Sequence, residues 1–434
     1  MRKQQIPASL RWTALLIASL AMFGNYYLYD SVAYVGKELM DELGFSNEDF
    51  SRLYSVYSVA AVVVLTFSGL LINRFGARVV ILVAGVICAV SGFVTAATDQ
   101  LTVMLVGRFL LGFSAEPLIV AITVVLAKWF RGRELGFALG VNLFIARAGS
   151  YAADWSPTWA KAIYAQGWHQ ALVLAGMIGL LCGIGGVVYF VLEKRASKNY
   201  VLGAGQEPDR LNLRESFQFT PSFWFVVILC MTFYSAIFPF RGFAPTFFVN
   251  AHGVSGELAG QLNSMVIVAS MLATPFIGLL VDKIGHRALM MFIGSVIILP
   301  VFLLLIYADI NLFIPVTMLG VATSLVPAVM WPSVAYIVEE KKLGTAYALM
   351  TLIQQIGVAG FVWLVGKAND LSAASAANPT GYHAGMWIFS TLGIVGLVFS
   401  FLLYKTETGP RGHGLEKPSA KAAPVISPDK KDDR

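Results

Sequence analysis

Apolar runs of about 20 residues recur along the chain from Leu10 to Tyr404, broken by short polar or basic turns. A run of that length crosses the hydrocarbon layer of a membrane as one helix. The pattern predicts twelve spans, at about 11–37, 47–73, 78–99, 101–128, 134–161, 168–193, 221–249, 255–282, 287–308, 310–338, 343–367 and 384–404. The expected fold is therefore an all-α membrane protein with twelve transmembrane helices in two six-helix halves. The N-terminal half covers 1–193 and the C-terminal half 221–404. A polar stretch, 194–220, reads as a cytoplasmic linker, and 405–434, rich in Pro, Lys and Ala, as a disordered cytoplasmic tail. The opening stretch has basic residues ahead of an apolar run, as a signal peptide does. Its run is too long and lacks a clean small-residue cleavage site, so it reads as the first span.

Basic residues orient the spans. Of the 31 Lys and Arg, Lys37, Lys161 and Lys367 fall in outer loops, and Arg52, Arg108, Arg147 and Arg241 fall within spans. All the others lie on the side that holds both termini, which places both termini in the cytoplasm.

The two halves resemble each other. Gly69-Leu-Leu-Ile-Asn73-Arg74-Phe-Gly76-Ala-Arg78 recurs as Gly278-Leu-Leu-Val-Asp282-Lys283-Ile-Gly285-His-Arg287. At the same spacing to within one residue, Leu135-Gly136 recurs as Leu343-Gly344, Gly112 as Gly320 and Gly149 as Gly357. Several anchors at one spacing indicate an internal duplication of six helices.

Two charges break the apolar pattern near mid-span. Glu116 lies about 18 Å from the basic turn that follows span four, and Arg147 about 20 Å from the same turn along span five. Two antiparallel helices would hold this acid and base at one depth. A charge there costs roughly 2.5–3.5 kcal/mol even on the mildest scale, so it needs a partner or a task. One reading is a structural ion pair; the other is a site for a ligand that carries both charges. The duplication places Ser324 opposite Glu116 and Gln355 opposite Arg147, so the charges belong to one half only, which favours recognition over packing. An Arg fork suits a carboxylate, and an acid suits an ammonium. Tyr26, Tyr27, Tyr54, Tyr57, Tyr234 and Trp331 are candidate pocket walls, joined by Gln354 and Gln355. Asp154 and Arg241 both lie about 30 Å above the cytoplasmic boundary in opposite halves. They are expected to close the outer mouth as a partly hydrated pair worth about 1 kcal/mol or less. Pro239 and Pro332 free backbone carbonyls within spans, as bending segments do.

Composition excludes several classes. The chain is 57% hydrophobic and 13% charged, about half the charge of a soluble protein. Its formal charge of +6 is spread over short loops and tails, which argues against nucleic acid. Cys88, Cys182 and Cys230 lie inside apolar runs without a disulfide or metal spacing. His169, His252, His286, His383 and His413 make no metal-ligand pattern. No phosphate-binding loop occurs, so ATP is not the expected driving force. Neither an enzyme nor a cofactor is expected. Small-molecule transport, with or without protons, remains open beside a receptor or assembly role, as does an accessory subunit.

The loops after spans two and eight match motif A of the major facilitator superfamily, which the chain resembles. In that motif Asp282 is expected to cap a helix of the other half, with Lys283 and Arg287 meeting carboxylates. Asn73 replaces the acid in the first copy, beside Arg74 and Arg78, and makes a weaker latch. Arg108 matches the superfamily's span-four arginine and is expected to pair with Asp30. The resemblance narrows over Asn25-Tyr-Tyr-Leu-Tyr-Asp30, Leu53-Tyr54-Ser-Val-Tyr57-Ser58, Trp129-Phe-Arg-Gly-Arg-Glu134-Leu and Ala146-Arg147-Ala-Gly149-Ser150. With Phe238-Pro239-Phe240, Trp331-Pro332 and Ile353-Gln354 these are similar to the family of major facilitator superfamily domain-containing protein 1. That family carries dipeptides out of lysosomes. The resemblance implies that Glu116 holds a peptide ammonium and Arg147 its carboxylate; Asp154 and Arg241 lie outside it. A proton-coupled carrier of organic anions is the alternative. The absence of glycosylation and acidic dileucine signals points to a bacterial inner membrane.

Overall fold

The computed structural model describes residues 6–130, 134–200, 202, 218–410 and 412–418. Arg131 and Arg133 of the first basic turn, most of the linker with Arg210 and Arg214, and the tail beyond Pro418 lie outside the described residues. The twelve expected spans are twelve long helices. They are α1 (Ala8–Ser31), α2 (Asn47–Phe75), α3 (Ala77–Ala96), α4 (Leu101–Phe130), α5 (Leu135–Asp154), α6 (Trp168–Asn199), α7 (Pro221–His252), α8 (Gly256–Ile284), α9 (Arg287–Tyr307), α10 (Phe313–Ile337), α11 (Leu343–Leu371) and α12 (His383–Glu407). Among the described residues eleven helices are long and apolar enough to cross a membrane. The remaining one is α1, whose second half carries Asn25, Tyr26, Tyr27, Tyr29 and Asp30 in place of an unbroken apolar run.

Three expectations need correction. Span five stops at Asp154, and two short helices, Ser156–Trp159 and Lys161–Tyr164, follow it. Pro157 sits in the first turn of the former, where a missing amide hydrogen costs nothing, and so starts a new helix. The linker is shorter than expected, because α6 continues to Asn199. The tail is folded as far as Pro418: Gly412–Pro418 hydrogen-bonds to the loop before α9.

The chain divides into two compact units that do not follow the duplication. The first holds Met1–Pro208, Pro239–Ile267 and Ala359–Ala384; the second holds Asp209–Phe238, Val268–Val358 and Gly385–Arg434. Thus the ends of α7, α8 and α11 farthest from the termini pack with the first six helices. In α7 the division falls at Pro239, which cannot donate the helical hydrogen bond that other residues donate.

Within the first unit α1 packs against α5 and α6, α4 against α2 and α3, and α3 against α6. Glycines set the closest crossings. A Cβ on Gly149 of α5 would stand 2.3 Å from the Phe23 carbonyl oxygen of α1, and one on Gly112 of α4 2.1 Å from that of Tyr57 in α2. In the second unit a Cβ on Gly357 of α11 would meet Met231 Cγ of α7 at 2.4 Å. The recurrence of Gly149 as Gly357 is thus one helix crossing used twice, α5 on α1 and α11 on α7. Backbone cannot yield as a flexible side chain does. Gly149→Ala and Gly112→Ala are therefore expected to cost about 1–3 kcal/mol each. Gly140→Ala, which meets nothing within 4 Å, is expected to be near neutral. Thermal unfolding of the purified variants measures the contrast.

Candidate substrate site and gate

Glu116 is 8% exposed near the middle of α4, followed at once by Pro117, which has no amide hydrogen to give the preceding turn. Arg147 lies on α5, half-buried, in the small-residue stretch Ala146-Arg147-Ala148-Gly149 that lets α5 approach α1. The two helices are not neighbours in the simple antiparallel sense expected, since α5 packs chiefly on α1 rather than on α4. Arg147 faces Tyr26 of α1. The Arg147 guanidinium lies 5.9 Å from the Tyr26 ring centroid. Tyr26 is half-buried, whereas Tyr27 is 1% exposed and belongs to the core. Tyrosine and guanidinium thus meet inside the first unit, which also holds Glu116, the three carried by three different helices.

Beyond it lies an aromatic layer. Tyr29 packs edge-on against Tyr57 (4.7 Å between centroids) and Tyr54 (5.7 Å). Arg108 does not pair with Asp30. Its guanidinium donates to the backbone carbonyls of Leu53 (2.9 Å), Leu28 (3.1 Å) and Tyr29 (3.3 Å) and faces the rings of Tyr54, Tyr29 and Tyr57 at 5.1–5.7 Å. Carbonyls and ring faces satisfy a buried guanidinium without an acid. Tyr54, 2% exposed, is wedged between Phe50, Tyr29 and Gly242, so it is packing here rather than an open pocket wall.

Asp30 turns instead to Arg241. Arg241 Nη1 donates to Asp30 Oδ1 at 3.1 Å, and Nη2 to both oxygens of Asp154 at 3.0 and 2.9 Å. The Tyr34 hydroxyl donates to Asp154 and accepts from Asn263 Nδ2, whose amide also reaches the Arg241 carbonyl. The expected partly hydrated pair is therefore a buried cluster of five residues. Asp154 is 0% and Arg241 3% exposed. Sequence reasoning missed Tyr34 and Asn263 because neither a tyrosine nor an asparagine at a span end is a distinctive signal.

A second contact missed by the sequence lies beside it. The Asp370 carboxylate, at the end of α11, accepts from the backbone amides of Asn47 and Glu48 at 2.8 Å and from Asn47 Nδ2 at 3.0 Å. It caps the first turn of α2, and Ser46 and Asp49 complete a capping box there. On the same face Lys161 pairs with Glu257 at 2.6 Å, which raises the lysine pKa above its ordinary value. Removing one cap costs about 1 kcal/mol, so Asp370→Ala is expected to loosen this end about fivefold. Hydrogen exchange at the Asn47–Phe50 amides reads the change.

Of the other expected site residues, Tyr234, Trp331, Gln354, Gln355 and the second motif A copy lie in the second unit, and the first motif A copy in the first. Trp331 Nε1 donates to the Tyr234 hydroxyl at 3.0 Å, Tyr347 stacks on Trp331, and Tyr234 stacks on Phe238. Gln354 is 8% exposed and accepts from Cys230 Sγ at 3.6 Å; Gln355, next to it, is half-buried. In the first motif A copy Asn73 and Arg74 are exposed, Arg74 lying against Phe75 and Arg78 against Phe190. In the second, Asp282 accepts from Arg287 of its own loop at 3.3 Å, and Lys283 is exposed. The amide of Ala288, in the first turn of α9, is capped by Glu416 of the tail.

Comparison with known proteins decides the family. The Major Facilitator Superfamily matches the chain over residues 15–362 and 242–428. This chain belongs to the major facilitator superfamily. It is 31% identical over 373 residues to the lysosomal dipeptide transporter MFSD1 of Danio rerio, covering 83% of this chain and 81% of that one. The human MFSD1 protein is also 31% identical, over 376 residues. The hexuronate transporter of Escherichia coli K12 is 23% identical over 181 residues, 42% of this chain and 41% of that one. A bacterial homolog of the human lysosomal transporter Spinster shares the fold at TM-score 0.72 and 14% identity, covering 92% of this chain and 98% of that one. The nucleoside transporter NupG does so at 0.69 and 14%, over 90% and 98%. The chain is a multi-pass membrane protein with the transporter fold of this superfamily.

Proposed function

We propose that this superfamily transporter carries dipeptides or similar small zwitterions by alternating access. The observation that supports the substrate class is the buried Glu116 of α4 and the half-buried Arg147 of α5, the latter against the Tyr26 ring of α1. A zwitterion moved out of water needs a fixed charge of each sign, and these two are the unduplicated mid-span charges of the N-terminal half. The likeness to the dipeptide transporter MFSD1 over four-fifths of both chains supports the same class. With the termini in the cytoplasm, the end closed by Arg241, Asp30, Asp154 and Asp370 faces outward. That cluster is the outer gate: opening it separates Arg241 of α7 from Asp30 of α1 and Asp154 of α5.

Uptake into sealed vesicles that contain only this protein tests the function. A labelled dipeptide is expected to equilibrate across the membrane and to be competed by other dipeptides. It is not expected to be competed by free organic anions. Uptake of anions with no competition by dipeptides would overturn the substrate assignment, and no uptake of either would overturn the transport reading.

A further inference from the structure

The folded part of the tail engages the motif A loop of the second unit on all sides. His286 N donates to the Glu416 carbonyl at 3.3 Å and Arg287 N to that of Leu415 at 3.1 Å. Glu416 Oε1 accepts from the Ala288 amide at 2.8 Å, and its other oxygen lies 3.1 Å from His286 Nδ1. Arg287, 1% exposed, gives Nη1 to the Lys417 carbonyl at 3.1 Å and lies 4.5 Å from the Tyr336 ring centroid. Leu415 is fully buried. Gly285, at φ +76°, leaves room for the tail backbone; a Cβ there would stand 2.4 Å from the Lys417 carbonyl carbon. The tail is held at its root as well. Glu407 of α12 accepts from Ser222 at 2.7 Å, from the His413 amide at 2.7 Å and from His413 Nδ1 at 2.8 Å.

The same loop has a second expected use. As motif A it is to latch onto the other half when the cytoplasmic side closes, through Asp282, Lys283 and Arg287. With Arg287 1% exposed and hydrogen-bonded to both Lys417 and Asp282, its guanidinium leaves no open approach for a carboxylate of the other half. In this structure the tail covers that guanidinium and caps the Ala288 amide. We propose that Gly412–Lys417 is a strap that competes with the cytoplasmic latch, so that its docking favours the outer-closed state and its release favours outer opening. This rests on the alternating-access reading and not on the identity of the substrate.

The test uses the full chain in lipid vesicles with Thr246→Cys as reporter. Thr246 is 2% exposed, packs against Gly36 at the shut end, and its hydroxyl makes no hydrogen bond that a thiol would lose. Cys88, Cys182 and Cys230 are buried. The rate of labelling by an impermeant maleimide, without substrate, is compared for the full chain, a chain ending at Pro418, a chain ending at Thr408, and Glu416→Ala. The Pro418 chain keeps the strap and is expected to match the full chain. The Thr408 chain and Glu416→Ala are expected to label about fivefold faster, the shift that loss of one helix cap gives. Asp154→Asn, which weakens the gate directly, serves as control. If it labels faster while the strap variants do not, the strap proposal falls and alternating access stands; if none labels faster, both fall. Acceleration in the Pro418 chain would overturn the strap as the acting segment. Should the Thr408 chain misfold, with Glu407 robbed of His413, Glu416→Ala alone decides: an unchanged rate in folded protein makes the tail a mere brace.

Discussion

Glu116→Gln is expected to weaken free dipeptides about 30-fold or more while leaving N-acetylated dipeptides nearly unaffected, since these bring no ammonium to be paired. Arg147→Gln is expected to do the converse with C-terminally amidated peptides. Loss of one partner from a buried charge-assisted contact costs on the order of 2–5 kcal/mol, well above the scatter of a binding assay. The geometry adds a third variant. Tyr26 presents its ring to Arg147 at 5.9 Å, so Tyr26→Phe keeps the face that holds the guanidinium and is expected to bind almost normally. Tyr26→Ala removes it and is expected to weaken all peptides with a free carboxylate. A structural ion pair would behave otherwise: either single variant would lose stability and all ligands alike, and the double variant would recover stability because no lone charge remains buried. Binding of end-blocked peptides to the purified variants separates the two outcomes, and uniform loss would end the clamp.

Arg241→Gln is expected to hold the outer end open and to abolish net uptake. It leaves Asp154, fully buried, and Asp30, nearly so, without their guanidinium. Breaking a buried charge cluster from one side costs about 3–5 kcal/mol, far more than the exposed pair that sequence depth suggested. Maleimide labelling of Thr246→Cys is expected to rise by about two orders of magnitude or more, to the limit set by the open state. Neutralising the whole cluster, with Asp30→Asn, Asp154→Asn and Arg241→Gln together, is expected to bring labelling back towards the parent rate. A simple exchange of Arg241 with Asp154 is not expected to rescue, because Asp30 would then face an acid and the Tyr34 hydroxyl would lose the carboxylate it donates to. If Arg241→Gln labels no faster than the parent, the cluster is not the gate.

How much of this was legible in the chain depends on the range of the physics involved. Helix count, the mid-span position of Glu116 and Arg147, and the duplicated glycines follow from hydropathy and spacing, which act along one helix at a time. The α5–α1 and α11–α7 crossings explain why Gly149 and Gly357 recur, yet the recurrence was visible before the crossings were. Pairing was less legible. Asp30 has Arg108 and Arg241 at about its own depth, and depth alone cannot choose between them.

That choice is a matter of direction around the helix bundle. Backbone carbonyls and three tyrosine rings claim Arg108 because it lies between α1 and α2, while Arg241 faces Asp30 and Asp154. In the same way α5 packs chiefly on α1 rather than on α4, which brings Arg147 to Tyr26. The tail shows the reverse limit: its polar composition reads as disorder, but Leu415 and Glu416 find a buried niche and a helix end that exist only once α8, α9 and α12 have packed. The sequence by itself determined twelve membrane helices, their repeat and which charges must be satisfied, because burial in hydrocarbon penalises each helix locally. Which partner satisfies each charge was decided only by the tertiary structure, because hydrogen bonds need specific distances and directions between residues as far apart in the chain as Asp30 and Arg241.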